Sequence, residues 1–85
     1  MSYRITLSKP AQKQFRKLPK DVQGRLLLVL RGLETDPRPP GVKKLVGTER
    51  AWRVRAGDYR IIYEIFDGEL VVDVIRLGHR REVYL

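Results

Sequence analysis

Residues 51–66, Ala51-Trp52-Arg53-Val54-Arg55-Ala56-Gly57-Asp58-Tyr59-Arg60-Ile61-Ile62-Tyr63-Glu64-Ile65-Phe66, decide the fold. Ala51 to Ala56 alternates apolar and polar, the period of a half-buried strand. Gly57-Asp58 suits a two-residue turn, and Tyr59 to Phe66 is rich in β-branched and aromatic residues. If the turn closes on two residues, Ala56 opposes Tyr59, Arg55 opposes Arg60, Val54 opposes Ile61 and Arg53 opposes Ile62. Side chains alternate between faces, so Trp52, Val54, Ala56, Tyr59, Ile61 and Tyr63 share one face, while Arg53, Arg55 and Arg60 share the other. The first face must meet other apolar surface. The second sets two arginines directly opposite each other, which repel. Stability alone would put Glu opposite Arg. Either Glu64 or Asp73 neutralises the cluster from the same face, or a three-residue turn breaks the pairing, or a polyanion occupies that face. The convergence of three arginines on two short strands favours the last.

Downstream, Asp67-Gly68 is a strong hairpin signal and Leu70 to Leu77 is a further β run, so the C-terminal half reads as an antiparallel meander of three strands. Upstream, Tyr3 to Leu7 alternates as a strand. Ser8 suits a helix N-cap, with Pro10 tolerated in the first turn. Ala11, Phe15 and Leu18 then fall on one helical face, and Leu18-Pro19 ends the helix. Pro19 starts a second helix whose core stripe is Val22, Leu26, Val29, Leu30 and Leu33. Leu27 and Leu28 widen that arc, which reads as a helix packed on two sides within its own domain, with a docking surface for a partner chain as the alternative. Asp36-Pro37-Arg38-Pro39-Pro40-Gly41 is a stiff stop, and Lys43-Lys44-Leu45 with Gly47 a connector. The expected fold is α+β: an N-terminal strand, a two-helix hairpin, then an antiparallel three-stranded meander completing one sheet. At 85 residues the expectation is a single domain, 1–85.

Composition excludes several chemistries. There is no cysteine, hence no disulfide scaffold or thiolate site, and a single histidine, which rules out a multi-histidine metal cage. No apolar run approaches a membrane span and the first residues lack a signal-peptide core, so a cytoplasmic protein without a membrane partner is expected. The net charge is +8, with 12 Arg against 6 Lys. Residues 1–49 carry net +7. Residues 50–85 are nearly neutral, but all 7 of their basic groups are Arg. Arginine's planar fork suits phosphate oxygens. Beyond the meander, Gly78 permits a turn from which His79, Arg80 and Arg81 project, with Tyr84 following. Taken singly these are a basic loop and a packed aromatic; together they would crowd the mouth of the Arg55–Arg60 pair.

The strand-helix-helix-strands order, Trp52-Arg53-Val54-Arg55, Gly57-Asp58-Tyr59-Arg60-Ile61-Ile62-Tyr63 and Gly78-His79-Arg80-Arg81-Glu82-Val83-Tyr84 resemble the RelE/ParE toxin superfamily of type II toxin–antitoxin systems. Ala11-Gln12-Lys13-Gln14-Phe15-Arg16-Lys17-Leu18-Pro19 is also similar. The likeness spans nearly the whole chain. It implies a RelE-like fold and an mRNA interferase, an endoribonuclease cleaving codons in the ribosomal A site without a metal or other cofactor. It also implies a cognate RelB-like antitoxin and a toxin–antitoxin hetero-oligomer. Family positions match Arg53, Arg55, Arg60, Arg80 and Tyr84 as catalytic residues. Arg81, His79, Lys43 and Lys44 are the expected substrate-binding side chains. The best-studied branch has Lys where this chain has Arg53 and Arg55, and a longer stretch before its tyrosine, so Arg80 and Arg81 compete for one role. The implied chemistry is attack by the 2′-OH on the adjacent phosphodiester, giving a 2′,3′-cyclic phosphate and a 5′-OH. Tyr84 would be the base, Arg53, Arg55 and Arg60 would hold phosphate oxygens, and Arg80, Arg81 or His79 would support the leaving oxygen. The rival readings are a ParE-like gyrase-inhibiting toxin and a non-enzymatic RNA- or ribosome-binding module.

Overall fold

The computed structural model describes residues 2–81 and Val83. Elements follow in the order β1 (Arg4–Leu7), α1 (Lys9–Arg16), α2 (Lys20–Thr35), β2 (Lys43–Lys44), β3 (Ala51–Ala56), β4 (Tyr59–Phe66) and β5 (Val71–His79). They form one five-stranded sheet in the order β1-β5-β4-β3-β2. β1 runs parallel to β5, and β2 to β5 are antiparallel neighbours. The α+β architecture is thus the expected one, and the β3–β4 hairpin has the expected register: Ala56 pairs with Tyr59, Arg55 with Arg60, Val54 with Ile61 and Arg53 with Ile62.

Local chemistry sets the helix boundaries. Ser8 caps α1, its Oγ accepting from the Ala11 N–H at 3.2 Å. Pro19 lacks a side chain that can cap α2, but its carbonyl accepts the Gln23 N–H at 2.9 Å. The Gln23 amide in turn donates to the Phe15 carbonyl at 2.9 Å, clamping the helical hairpin. The helices lay Ala11, Val22, Leu26, Leu30 and Leu33 against Val54, Ala56, Ile61, Tyr63, Val74 and Leu77 of the sheet. Tyr63 is fully buried there; its hydroxyl donates to the Pro37 carbonyl at 2.7 Å, and burial pushes the phenol's pKa well up. At the far end of the hairpin the Asp67 carboxylate takes both Arg38 guanidinium nitrogens (3.2 and 2.8 Å) and the Tyr3 hydroxyl at 2.7 Å. These donors hold Asp67 below the usual carboxylate range, and the shared carboxylate raises the Tyr3 phenol.

Three features depart from the sequence expectation. Lys43 and Lys44, expected in a connector, form a two-residue edge strand against Arg53 and Trp52. The free edge of β3 recruits them, and Gly41 and Gly47, both at positive φ, turn the chain away on either side. Leu27 and Leu28, expected to pack on two sides of α2, are instead 46% and 70% exposed, because the helix rests on the sheet by one stripe only. Finally, β5 carries a bulge. Ile62 pairs with Arg76 but Tyr63 pairs with Val74, leaving Ile75 as an extra residue. The Ile75 carbonyl is taken by the Ser8 hydroxyl at 2.7 Å, so the cap of α1 also anchors the bulge. Beyond it, the Leu77 N–H finds the Gln14 side-chain oxygen at 2.9 Å, where β1 has already ended.

Candidate functional site

The register brings the expected arginines together on the sheet face away from the helices. Directly paired residues share a face. One row therefore runs Arg55–Arg60–Gly78 across β3, β4 and β5. The next runs Lys43–Arg53–Ile62–Arg76 across β2 to β5. Ile62 is 1% exposed yet stands apart from the main core cluster. It is the apolar floor of a cationic surface.

Arg60 sits at the centre. It is half-buried, and its Nε is a buried donor with no acceptor among the described residues. Leaving a buried donor unmet costs about 1–3 kcal/mol, and the opposed Arg55 adds repulsion. Neither Glu64 nor Asp73 relieves it. Among the described residues the two ion pairs are Arg38–Asp67 and Arg50–Glu49, and Asp73 instead accepts from the Thr6 hydroxyl at 2.7 Å.

The C-terminal segment is drawn to the same end of the sheet. The Arg80 N–H donates to the Asp58 carbonyl at 2.8 Å, crossing the tip of the β3–β4 turn two residues from Arg60. Gly78 has φ 155° and stands opposite Arg60. A Cβ there would lie 3.0 Å from Val83 Cγ2, so a side chain at this position would crowd Val83 against the strand. Tyr84 lies outside the described residues. The side chains of Arg80 and Arg81 are exposed.

Two expected residues part company with this face. Lys44 pairs with Trp52 and so projects to the helix side, beside a cleft of about 410 Å³ that Arg38 and Trp52 also line. His79 pairs with Tyr59, also on that side, and packs edge-on against its ring with centroids 5.7 Å apart. Its Nδ1 accepts the Arg81 N–H at 3.2 Å, so it braces the C-terminal turn. Conversely, Arg76 joins the basic face and the sequence reading passed over it. Strict alternation from Val72 and Val74 would point Arg76 into the core and Leu77 out; the bulge reverses both. The signal was Leu77 itself, an apolar residue out of phase.

Among the described residues no group of three His, Asp or Glu side chains could hold a metal ion, and no helix is long and apolar enough to cross a membrane.

A family model described as the ParE toxin of type II toxin–antitoxin systems matches residues 5–84. The chain is 33% identical over 88 residues to the mRNA interferase toxin RelE of Escherichia coli K12, covering 99% of this chain and 92% of that one. It is 30% identical over 88 residues to toxin RelG of Mycobacterium tuberculosis, covering 99% and 98%. Among solved structures, the archaeal RelE–RelB complex from Pyrococcus horikoshii OT3 contains a chain superposing with TM-score 0.83 at 34% identity, covering 98% of this chain and 100% of that one. The intact Escherichia coli RelBE complex gives 0.82 at 29%, covering 92% and 96%. The match over nearly all of the chain, carried on this fold, means that the chain belongs to the RelE/ParE superfamily of type II toxin–antitoxin toxins and is of the RelE type.

Proposed function

We propose that this toxin is an mRNA interferase, a ribosome-dependent endoribonuclease acting in the A site. The observation that carries the reading is the Arg55–Arg60 pair, two guanidinium groups set opposite each other with a buried Arg60 Nε awaiting an acceptor. A scissile phosphodiester lying against the pair accepts from the outward ends of the two guanidinium forks and offsets their repulsion. The RelE relatives named as mRNA interferases support the same reading.

In the proposed reaction Tyr84 takes the 2′-OH proton, the 2′-oxygen attacks phosphorus in line, and the bond to the 5′-oxygen breaks. The products are a 2′,3′-cyclic phosphate and a 5′-OH, the leaving oxygen being held by Arg80 or Arg81 while it takes a proton from water; His79, on the other side of the sheet, takes no part. Arg53, Arg55 and Arg60 stabilise the charge that builds on the phosphorane. Neighbouring arginines favour the phenolate of a tyrosine whose ordinary pKa is near 10. Few groups share this work, so orientation by the ribosome supplies much of the barrier reduction. The partners are then translating ribosomes with their mRNA, and a RelB-like antitoxin in a toxin–antitoxin hetero-oligomer, as in the RelE–RelB complexes of the structural neighbours.

The test is cleavage of a defined message by the purified toxin with and without programmed ribosomes, with the 3′ ends mapped. Cyclic phosphate ends appearing only with ribosomes are the expected result; equal cleavage of free RNA defeats ribosome dependence. Tyr84→Phe should abolish cleavage, whereas a module that merely grips RNA would keep its effect. The matching family model's ParE description favours one second reading, a gyrase inhibitor, which a supercoiling assay separates: inhibition without RNA cleavage would establish it.

A further inference from the structure

Arg76 is the one cation on the basic face whose direction depends on an irregularity. The extra residue Ile75 shifts the pairing so that Arg76 falls opposite Ile62. The Ser8 hydroxyl that holds the Ile75 carbonyl fixes the shift. Bulges re-aim side chains next to working surfaces. Here the result is a row in which Lys43 and Arg53 lie on one side of the Ile62 floor and Arg76 on the other. With strands about 4.8 Å apart, the row spans roughly 14 Å. Arg76 is exposed, and neither ion pair among the described residues involves it.

We infer that Arg76 binds the RNA backbone at a phosphate flanking the cleaved one, so that the strand lies along the Lys43–Arg53–Arg76 row while the Arg55–Arg60 row takes the scissile group. This rests on the reading of the basic face as an RNA surface. The two rows are two residues apart along the strands, roughly 7 Å, a gap that consecutive phosphodiesters of an extended strand can bridge. Arg76 would act by charge and by its planar donor fork, without touching the reacting atoms. An acidic peptide could also meet an exposed arginine. The parallel rows of cations favour a backbone whose charges are regularly spaced.

The test uses the whole toxin and a short single-stranded RNA methylated at every 2′-oxygen, which binds but offers no nucleophile. Anisotropy titrations at several salt concentrations should show Arg76→Gln binding several-fold more weakly. Its log–log salt slope should be shallower by about 0.7, one lost phosphate contact on a single strand. Arg76→Lys should keep the slope, and Arg31→Gln, exposed on α2, should match wild type. Salt-dependent wild-type binding with an unchanged Arg76→Gln slope overturns the inference and leaves the RNA-face reading standing. Absence of wild-type binding at low salt overturns both. A variant that loses affinity for polyglutamate but not for RNA assigns Arg76 to a protein partner and overturns the inference.

Discussion

The two faces of the β3–β4 hairpin are built from the same alternation and do opposite things. On one, Val54, Ala56, Ile61 and Tyr63 are buried under the helices, and every polar group they bring, such as the Tyr63 hydroxyl, has a partner. On the other, Arg55 opposes Arg60 and the buried Arg60 Nε has no partner among the described residues. The first face is complete within the chain. The second is left incomplete by the described residues. Stability and function are therefore separable by substitution, because neighbouring residues on one strand serve one or the other.

Four experiments would break or sharpen that contrast, beginning with the largest effect. Replacing Ile61, fully buried at the centre of the core, by Ala should destabilise the fold by about 2–5 kcal/mol in urea denaturation. An equal loss from Arg60→Ala would contradict the division of labour. Arg60→Ala should instead leave the urea midpoint near wild type and slow RNA cleavage on ribosomes by roughly 10²–10³-fold, the usual cost of removing one donor from a developing oxyanion. The third separates the faces most directly. Arg55→Glu places an acid opposite Arg60 and should stabilise the protein by about 0.2–1 kcal/mol while abolishing binding of the methylated RNA. A variant both more stable and still RNA-binding would mean that the opposed pair serves no ligand. The smallest effect concerns Asp67, exposed at the far end of the hairpin. Its carboxyl is held below its ordinary 3.8 by Arg38 and Tyr3. Its contribution is fully present above about pH 4 and fades as acid protonates the folded form. Thermal melts should show Asp67→Asn losing less stability than wild type on moving from pH 5 to pH 3, and parallel curves would dismiss the contact.

How far the sequence revealed this division depends on the kind of signal each residue carried. Gly57-Asp58 sets the hairpin register because a two-residue turn admits one pairing, and that pairing by itself puts Arg53, Arg55 and Arg60 on one face. Ser8, Pro10 and Pro19 mark helix boundaries by their own chemistry. The β5 bulge has no such marker. Ile75 is an ordinary strand residue, and what makes it the extra one is Ser8 and Gln14, more than sixty positions away, capturing the backbone groups it frees. So alternation alone does not reveal Arg76, and His79, expected to project from a turn at Gly78, lies within β5 opposite Tyr59. The lysines of β2 were read as a connector because their pairing is decided by the vacant edge of β3, not by their own propensity.

The parallel pairing of β1 with β5 has a consequence for synthesis. Arg4 to Leu7 are made well before their neighbours, Val71 to Val74, which lie more than sixty positions further along the chain. The two-helix hairpin can form early from contacts close along the chain, whereas closure of the sheet waits on one long-range meeting, the slow kind of event in folding. Since Ser8 and Ile75 are joined by that same meeting, the bulge that turns Arg76 outward, and with it the finished basic surface, comes into being only at the end. Topology alone therefore makes the basic surface one of the last parts of the fold to take its final form.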